Sequence, residues 1–378
     1  MSQSSAAADT LRSSKRLVIK AGSAILCGER GEANVGWLSS LATDIANLRD
    51  NGVEVIIVTS GAIALGRDRL GLKGALRLEE KQAASAAGQV KLAEAWQAAM
   101  APHDIKVAQV LLTLHDTEER RRYLNARATI RTLLDLGALP LVNENDTVAT
   151  SEIRYGDNDR LAAHAAQIAG ADALVILSDI DGLYSADPRI VDDANHISFV
   201  NQITPEITKS ASGPNSAGGV GSGGMATKIA AAKIAGANGC ATIIAAGGCD
   251  HPVRAVLEGA RATLFRPADT KENARRQWIG GRIKSDGAIS VDQGAADAIR
   301  RGASLLPAGV TAITGDFRRG DAVSIIGADK EVIGQGLSAY DAADVRKIMG
   351  LSSEAAERAL GYRRRPAIIE RSDLVLRK

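Results

Sequence analysis

Two rhythms of apolar residues run along this chain. Unbroken apolar runs appear in "VEVIIVTSGA" (53–62), "KVAQVLLT" (106–113), "ALPLVNEND" (138–146), "DALVILSDIDGLY" (172–184) and "CATIIAAGG" (240–248). Such runs predict strands buried on both faces. Between them, apolar residues recur every three or four positions in "WLSSLATDIANLRDNG" (37–52), "KQAASAAGQVKLAEAWQAAM" (81–100), "DTEERRRYLNARATIRTLLDLG" (116–137), "NDRLAAHAAQIAGA" (158–171) and "MATKIAAAKIAGANG" (225–239). That spacing predicts helices, the first closed by Gly52 as a C-cap. "RLVIKAGSAIL" (16–26) begins the series as an apolar run broken by Lys20 and Gly22. Strands alternating with helices predict an α/β fold: a mainly parallel sheet covered on both faces.

In such sheets ligands bind beyond the carboxyl ends of the strands. Five of the predicted strands end in polar or glycine-rich residues: Lys20–Gly22, Ser60–Gly61, Asn143–Asp146, Ser178–Asp179 and Gly247–Gly248. Stability alone gives little reason for that, so the carboxyl edge is the candidate site.

The rhythm changes after Trp278. Short β-like runs follow, "GAISVD", "GVTAITG", "AVSIIG", "EVIGQGLSAY" and "AIIERSDLVL", punctuated by Gly and Asp. They predict a boundary near Asp269 and a small β-rich domain over 275–378, after a first domain over 15–268. The opening "MSQSSAAADTLRSSKR" has no apolar core of a secretory signal, and residues 1–14 are expected to form a disordered tail.

Composition narrows the class. The chain has 378 residues, 45% of them hydrophobic and 24% charged, with a formal net charge of +2. That is an ordinary globular balance, neutral on nucleic acid. Aromatics make up 3%, so the cores are built from Ala, Val, Ile and Leu. Cys27, Cys240 and Cys249 form no C-x-x-C pair, and the odd count suits a reducing compartment. No run has the ~18 apolar residues of a membrane span. A cytoplasmic location is expected.

One stretch asks for a special reason. "SGPNSAGGVGSGGMATKIAAAKIAGA" (212–237) crowds glycines into a loop, then opens an Ala-rich helix with Lys228 in its first turns. Backbone N–H groups and a helix N-terminus attract phosphate, and a lysine adds a full charge. It is no Walker A motif, because Thr227 rather than Gly precedes Lys228. "GVGSGG" (219–224) fits G-x-G-x-x-G, but no strand precedes it and no acidic residue follows until Asp250, which argues against a dinucleotide site. H-R-D and D-F-G, H-E-x-x-H and G-x-S-x-G are all absent. His103, His115, His164, His196 and His251 are scattered without metal-ligand spacing.

Taken in order, "VIKAGS", "VTSGAIALG", "NENDTVAT", "YGDNDRLAAHAA", "LSDIDGLYSADP" and "GSGGMATKIAAA" resemble the amino acid kinase family. They resemble in particular its glutamate-phosphorylating branch with a carboxy-terminal PUA domain. The likeness covers nearly the whole chain after the first residues. It implies a three-layer α/β/α sandwich and ATP-dependent phosphorylation of the γ-carboxylate of L-glutamate, the first step of proline synthesis. ATP would be the co-substrate with Mg²⁺, and L-proline the feedback inhibitor. A homodimer or homotetramer is expected, without membrane association, and the PUA-like domain leaves RNA binding open.

The resemblance also implies roles. Lys20 and Lys228 would stabilise charge on the transferring phosphoryl, Asp159 would hold both lysines, and Gly22 and Gly61 would bring backbone N–H groups to the reacting oxygens. Ser60, Asp146 and Asn158 match the glutamate-binding positions. Ser178 and Asp179 match the nucleotide side, together with Lys20 and the loop Ser222, Gly223, Gly224, Met225, Ala226, Thr227 and Lys228. One departure is Ala24, where the family usually carries a hydroxyl residue. The chemistry is consistent: a glutamate γ-carboxyl has a pKa of about 4.3, so it is ionised at neutral pH and needs no general base. Two rival readings stand beside this one. Another amino acid kinase is the first, and an RNA-binding protein using the basic clusters "RRQW", "FRRGD" and "YRRRP" is the second.

Overall fold

A computed structural model describes residues 4–28, 31–148, 158–210, 224–268, 270, 273, 285–361 and 366–377. The chain divides into two compact units. One comprises Met1–Glu118 and Asn125–Lys271, the other Glu119–Leu124 and Glu272–Lys378.

The first unit is built on an eight-stranded sheet. Its strands are β1 (Arg16–Ala21), β2 (Glu54–Thr59), β3 (Val107–Leu112), β4 (Leu139–Glu144), β5 (Ala173–Ser178), β8 (Phe199–Val200), β9 (Ala241–Ala246) and β10 (Ala262–Phe265). A small antiparallel hairpin of β6 (Leu183–Tyr184) and β7 (His196–Ile197) stands apart. The order across the sheet is β3-β4-β2-β1-β5-β9-β10-β8. Every pairing from β3 to β9 is parallel, while β10 runs antiparallel to β9. The expectation of a mainly parallel α/β sheet therefore holds. Ala21 pairs with Thr59 and with Leu177, Val58 with Val142, and Ser178 with Ala246. This register brings the five polar strand ends to one edge.

The helices of this unit are α1 (Ser4–Ser13), α2 (Ser23–Leu26), α3 (Val35–Asp50), α4 (Ala62–Arg69), α5 (Leu78–Met100), α6 (Leu114–Glu118), α7 (Arg120–Asp135, from Asn125 on), α8 (Asn158–Ala169), α9 (Pro205–Ser210), α10 (Met225–Ala237) and α11 (Pro252–Leu257). Leu17, Ile19, Val55, Ile57, Leu139 and Val175 point into one core with Leu38, Leu41 and Ile45 of α3 and Leu92 and Trp96 of α5. Helices α8 and α10 pack on each other. Among the described residues no helix is long and apolar enough to cross a membrane.

Several expectations are corrected. The supposed tail is helix α1, because Ala7, Ala8 and Leu11 fall on one helical face and are buried. Only residues 1–3 of it lie outside the described part. The helix expected over 116–137 is two helices. Glu119 separates them, and its carbonyl and side chain accept from the N–H groups of Tyr123 and Arg121 at the start of α7. The strand expected over 172–184 stops at Ser178 and resumes as β6. Helices α4 and α11 and strand β10 fall where no element is predicted.

Helices α4 and α5 meet unusually closely. A Cβ on Gly66 would lie 1.7 Å from the Ala84 carbonyl oxygen, and one on Gly88 would lie 1.7 Å from that of Ala62. Only glycine fits at either position. The crossing sets the place of Gly61, which caps α4, and of Ser85 on α5.

The second unit contains a five-stranded sheet of order β12-β11-β13-β14-β15: β11 (Gly287–Val291), β12 (Val310–Gly315), β13 (Ala322–Ile326), β14 (Val332–Leu337) and β15 (Leu374–Leu376). It also contains α12 (Gln293–Arg300), α13 (Ala342–Ile348) and α14 (Ser353–Leu360), which the short β-like runs do not predict. Ile289, Val291, Val323 and Ile325 pack with Ile299, Val345 and Ile348 in its own core. Asp292 and Ser352 cap α12 and α14, each accepting from a backbone N–H three residues on.

Candidate functional site

The site begins with a conflict between burial and charge. Lys20, Asp159 and Lys228 are far apart in sequence and all buried. Lys20 is the fifth residue of β1, Asp159 lies in the first turn of α8, and Lys228 in the first turn of α10. They meet over the carboxyl edge. Lys20 Nζ lies 2.6 Å from Asp159 Oδ1, and Lys228 Nζ donates to Asp159 Oδ2 at 3.2 Å. Thr227 Oγ1 donates to the same Oδ2 at 3.2 Å and to the Gly224 carbonyl at 2.7 Å.

Two ammonium groups share this one carboxylate in a buried place. Buried charge is costly unless paired, so the arrangement suits an anion. Asp159 and Lys228 lie in the first turns of α8 and α10, and helix N-termini favour negative charge further. A Cβ on Gly22 would lie 3.7 Å from Lys20 Nζ, so the chain turns directly beside the ammonium. Met225 and Ala226 form the start of α10, both half-buried. Ser222 and Gly223 lie outside the described residues, as does the rest of the glycine stretch before Gly224.

The NEND strand end lies close by. Asn158 Nδ2 donates to Asn143 Oδ1 at 2.8 Å and also to the Thr59 carbonyl, linking α8 to the ends of β4 and β2. Ser85 Oγ of α5 donates to Asp146 Oδ2. Burial raises the Asp146 carboxyl above its ordinary range, and the Ser85 hydrogen bond offsets part of that. Glu144, the last residue of β4, is 4% exposed. Burial, with Asp146 adding to it, pushes its carboxyl up to about 8.

Gly61 holds a left-handed conformation with φ +101°, and a Cβ there would come within 2.7 Å of Cys27 Sγ. This glycine is required by the backbone as well as by close packing. Ser60 precedes it, partly exposed at the end of β2. Burial pushes the Cys27 thiol up to about 11, which keeps it unreactive. On the other side of β1, Ser178 Oγ donates to Asp179 Oδ1 at 3.0 Å. Asp179 is largely exposed and lies 3.7 Å from Arg189 Nη1. The Gly247 N–H donates to the Ser178 carbonyl at 2.7 Å, and Trp37 Nε1 donates to the Gly247 carbonyl at 2.6 Å. A Cβ on Gly247 would lie 2.6 Å from Ile25 Cδ1.

Lys20, Asp159, Lys228, Thr227 and Gly224 are thus brought together, with Gly22 beside them. Asn158 and Asp146 join the end of β4. Ser178 and Asp179 share the edge but bond to each other. Sequence reasoning missed Glu144, Asn143 as a partner of Asn158, and Ser85. Glu144 and Asn143 belong to the motif that drew attention to Asp146, whereas nothing local marks Ser85.

Residues 15–246 match the Amino acid kinase family and residues 287–360 the PUA domain. The chain belongs to the amino acid kinase family. It is 54% identical over 367 residues to the glutamate 5-kinase of Paramagnetospirillum magneticum, covering 97% of this chain and 99% of that one. It is also 54% identical to glutamate 5-kinase 1 of Rhizobium meliloti, covering 97% and 93%. Among solved structures, UMP kinase from Ureaplasma parvum aligns at 14% identity with a TM-score of 0.48, over 67% of this chain and 98% of its own.

Proposed function

We propose that this chain transfers the γ-phosphoryl group of ATP to the γ-carboxylate of L-glutamate, giving L-glutamyl 5-phosphate, the first step of proline biosynthesis. The observation that carries this reading is the buried Lys20–Asp159–Lys228 cluster, set beside the NEND strand end in a chain with glutamate 5-kinase relatives along its length. The acceptor carboxylate is its own nucleophile, so catalysis reduces to positioning and charge stabilisation. Lys20 and Lys228 stabilise the charge that grows on the phosphoryl oxygens, and Asp159 holds both in place. Backbone N–H groups at Gly22 and Gly61 approach the reacting oxygens. Ser60, Asp146 and Asn158 bind glutamate. Ser178, Asp179 and the segment Ser222–Lys228 bind the nucleotide.

Magnesium enters with ATP, held mainly by phosphate oxygens and water. Among the described residues no group of three or more His, Cys, Asp or Glu side chains could hold a metal ion. In the same reading, residues 15–268 form the transferase domain and 275–378 the PUA-like domain. The protein is a cytoplasmic homodimer or homotetramer, inhibited by L-proline. RNA binding by the PUA-like domain is checked by salt-sensitive binding of the full chain to RNA.

The test is to supply Mg-ATP and hydroxylamine with L-glutamate, L-aspartate, N-acetylglutamate or no acceptor. Hydroxylamine traps an acyl phosphate as a coloured hydroxamate. Signal with L-glutamate alone is the expected result, and signal only with another acceptor would move the substrate assignment.

A further inference from the structure

The end of β4 holds an imbalance that the lysine cluster does not address. Glu144 is buried, and its Oε1 has no hydrogen-bond partner among the described residues. Two positions on, Asp146 accepts from the Ser85 hydroxyl, which is neutral. Among the described residues the charged group acting on Glu144 is Asp146, and it acts unfavourably. The side chains of α5 and β3 that bond at this place, Gln89 and Gln109, are neutral. Gln89 Nε2 donates to the Glu144 backbone carbonyl at 3.3 Å and its Oε1 accepts from Gln109 Nε2 at 2.9 Å. Two carboxyl groups therefore share a sheltered place with no cation bonded to either among the described residues.

Such a pair is balanced by protons or by a cation brought from outside. The acceptor of the proposed reaction brings one, its α-ammonium. We propose that Glu144 and Asp146 together form the α-ammonium subsite, and that Glu144 makes the site select α-amino dicarboxylates over plain dicarboxylates. This rests on the glutamate reading above. The polarity fits the rest of the edge. The lysine cluster sets two ammonium groups around one carboxylate and suits phosphate oxygens, while the β4 end sets two carboxyl groups two residues apart and suits the ammonium. Asn158 and Asn143 join the two places by a neutral hydrogen bond. Two carboxylates are also too few for a protein cage around a divalent cation, which takes six or more oxygens. Glu144 is a specificity-determining residue in this scheme, with no part in phosphoryl transfer.

The test compares L-glutamate with glutarate, the same dicarboxylate without the ammonium, in the hydroxamate assay. Wild-type protein is expected to prefer glutamate strongly. In Glu144→Gln, which keeps size and shape, KM for glutamate should rise by about 30-fold or more, as for loss of one partner in a buried charge pair. Its kcat should change less, and kcat/KM for glutarate should stay near the wild-type value. Glu144→Asp should recover part of the preference. An unchanged glutamate KM in Glu144→Gln would overturn the inference. Equal losses with both acceptors would overturn it too, since a damaged fold does not discriminate between them. Equal wild-type use of glutarate and glutamate would remove the ammonium subsite but leave the carboxylate kinase standing. Wild-type protein inactive with both would sink the glutamate reading and this inference with it.

Discussion

Two buried groups of charges sit on one sheet edge, and they are built in opposite ways. Around Asp159, one carboxylate is shared by Lys20 and Lys228. At the end of β4, Asp146 accepts from the Ser85 hydroxyl and pushes the neighbouring Glu144 carboxyl up. The first group is cohesive without any ligand, because each ammonium touches an opposite charge. The second keeps a proton on Glu144 up to about pH 8 unless something positive arrives. The contrast separates two tasks that a kinase of amino acids must meet. A permanent, preorganised positive place serves a transition state. A place whose charges are costly when empty serves recognition.

The largest expected effect is at the cohesive group. Lys228→Ala should lower kcat by about 10²–10³-fold, as for loss of a donor aimed at developing charge. The fold should survive, because Asp159 keeps its 2.6 Å partner Lys20. Wild-type turnover in the variant would remove Lys228 from the chemistry. Next comes the recognition group. Asp146→Ala should weaken glutamate binding by about 10- to 30-fold, with a smaller change in kcat. Glutamate titrations of the variant at saturating Mg-ATP measure both.

The third effect concerns pH in the absence of ligands. Glu144 ionises near its ordinary value of 4.5 in the unfolded chain, but only at about 8 in the folded one. Its contribution to stability is therefore fully present below the unfolded value and is lost as pH rises towards about 8. Melting temperatures across this range should fall for the wild-type protein and fall less for Glu144→Gln. At pH values above the folded pKa the variant should melt a few degrees higher, although it binds glutamate worse. Identical slopes would mean that Glu144 is not the group responsible. The smallest effect is at an exposed pair on the same edge. Arg189, 73% exposed, lies 3.7 Å from Asp179. Arg189→Ala should change stability by less than about 1 kcal/mol, measurable by denaturant titration.

The parallel sheet and its polar edge were legible because buried strands and amphipathic helices repeat in distinct rhythms. Lys20 and Lys228 were legible because a charge interrupts an apolar run or opens a helix, and Asp159 through the motif that resembles the family's. Helix α1 was not. Its face consists of small residues and one leucine, and burial against the rest of the unit decides its structure. The three helices of the second unit were hidden similarly, being short segments among stronger β signals. Glu144 lay inside a recognised motif, yet a sequence does not say which of four neighbouring polar residues loses its water. The meaning of Gly66 and Gly88 depends on carbonyl groups of another helix, which no local pattern marks.

Those two glycines have a consequence for how tolerance to substitution would be read. In a saturation mutagenesis screen scored on growth without proline, positions 66 and 88 would come out nearly as intolerant as Lys20 or Asp159. Neither glycine has a side chain with which to reach a substrate. Any larger residue at either would push apart the helices that carry Gly61 and Ser85, and so blur the acceptor end from a distance. Intolerance at these positions would record a spacing between two backbones, and only kinetics on folded variants would tell it from chemistry.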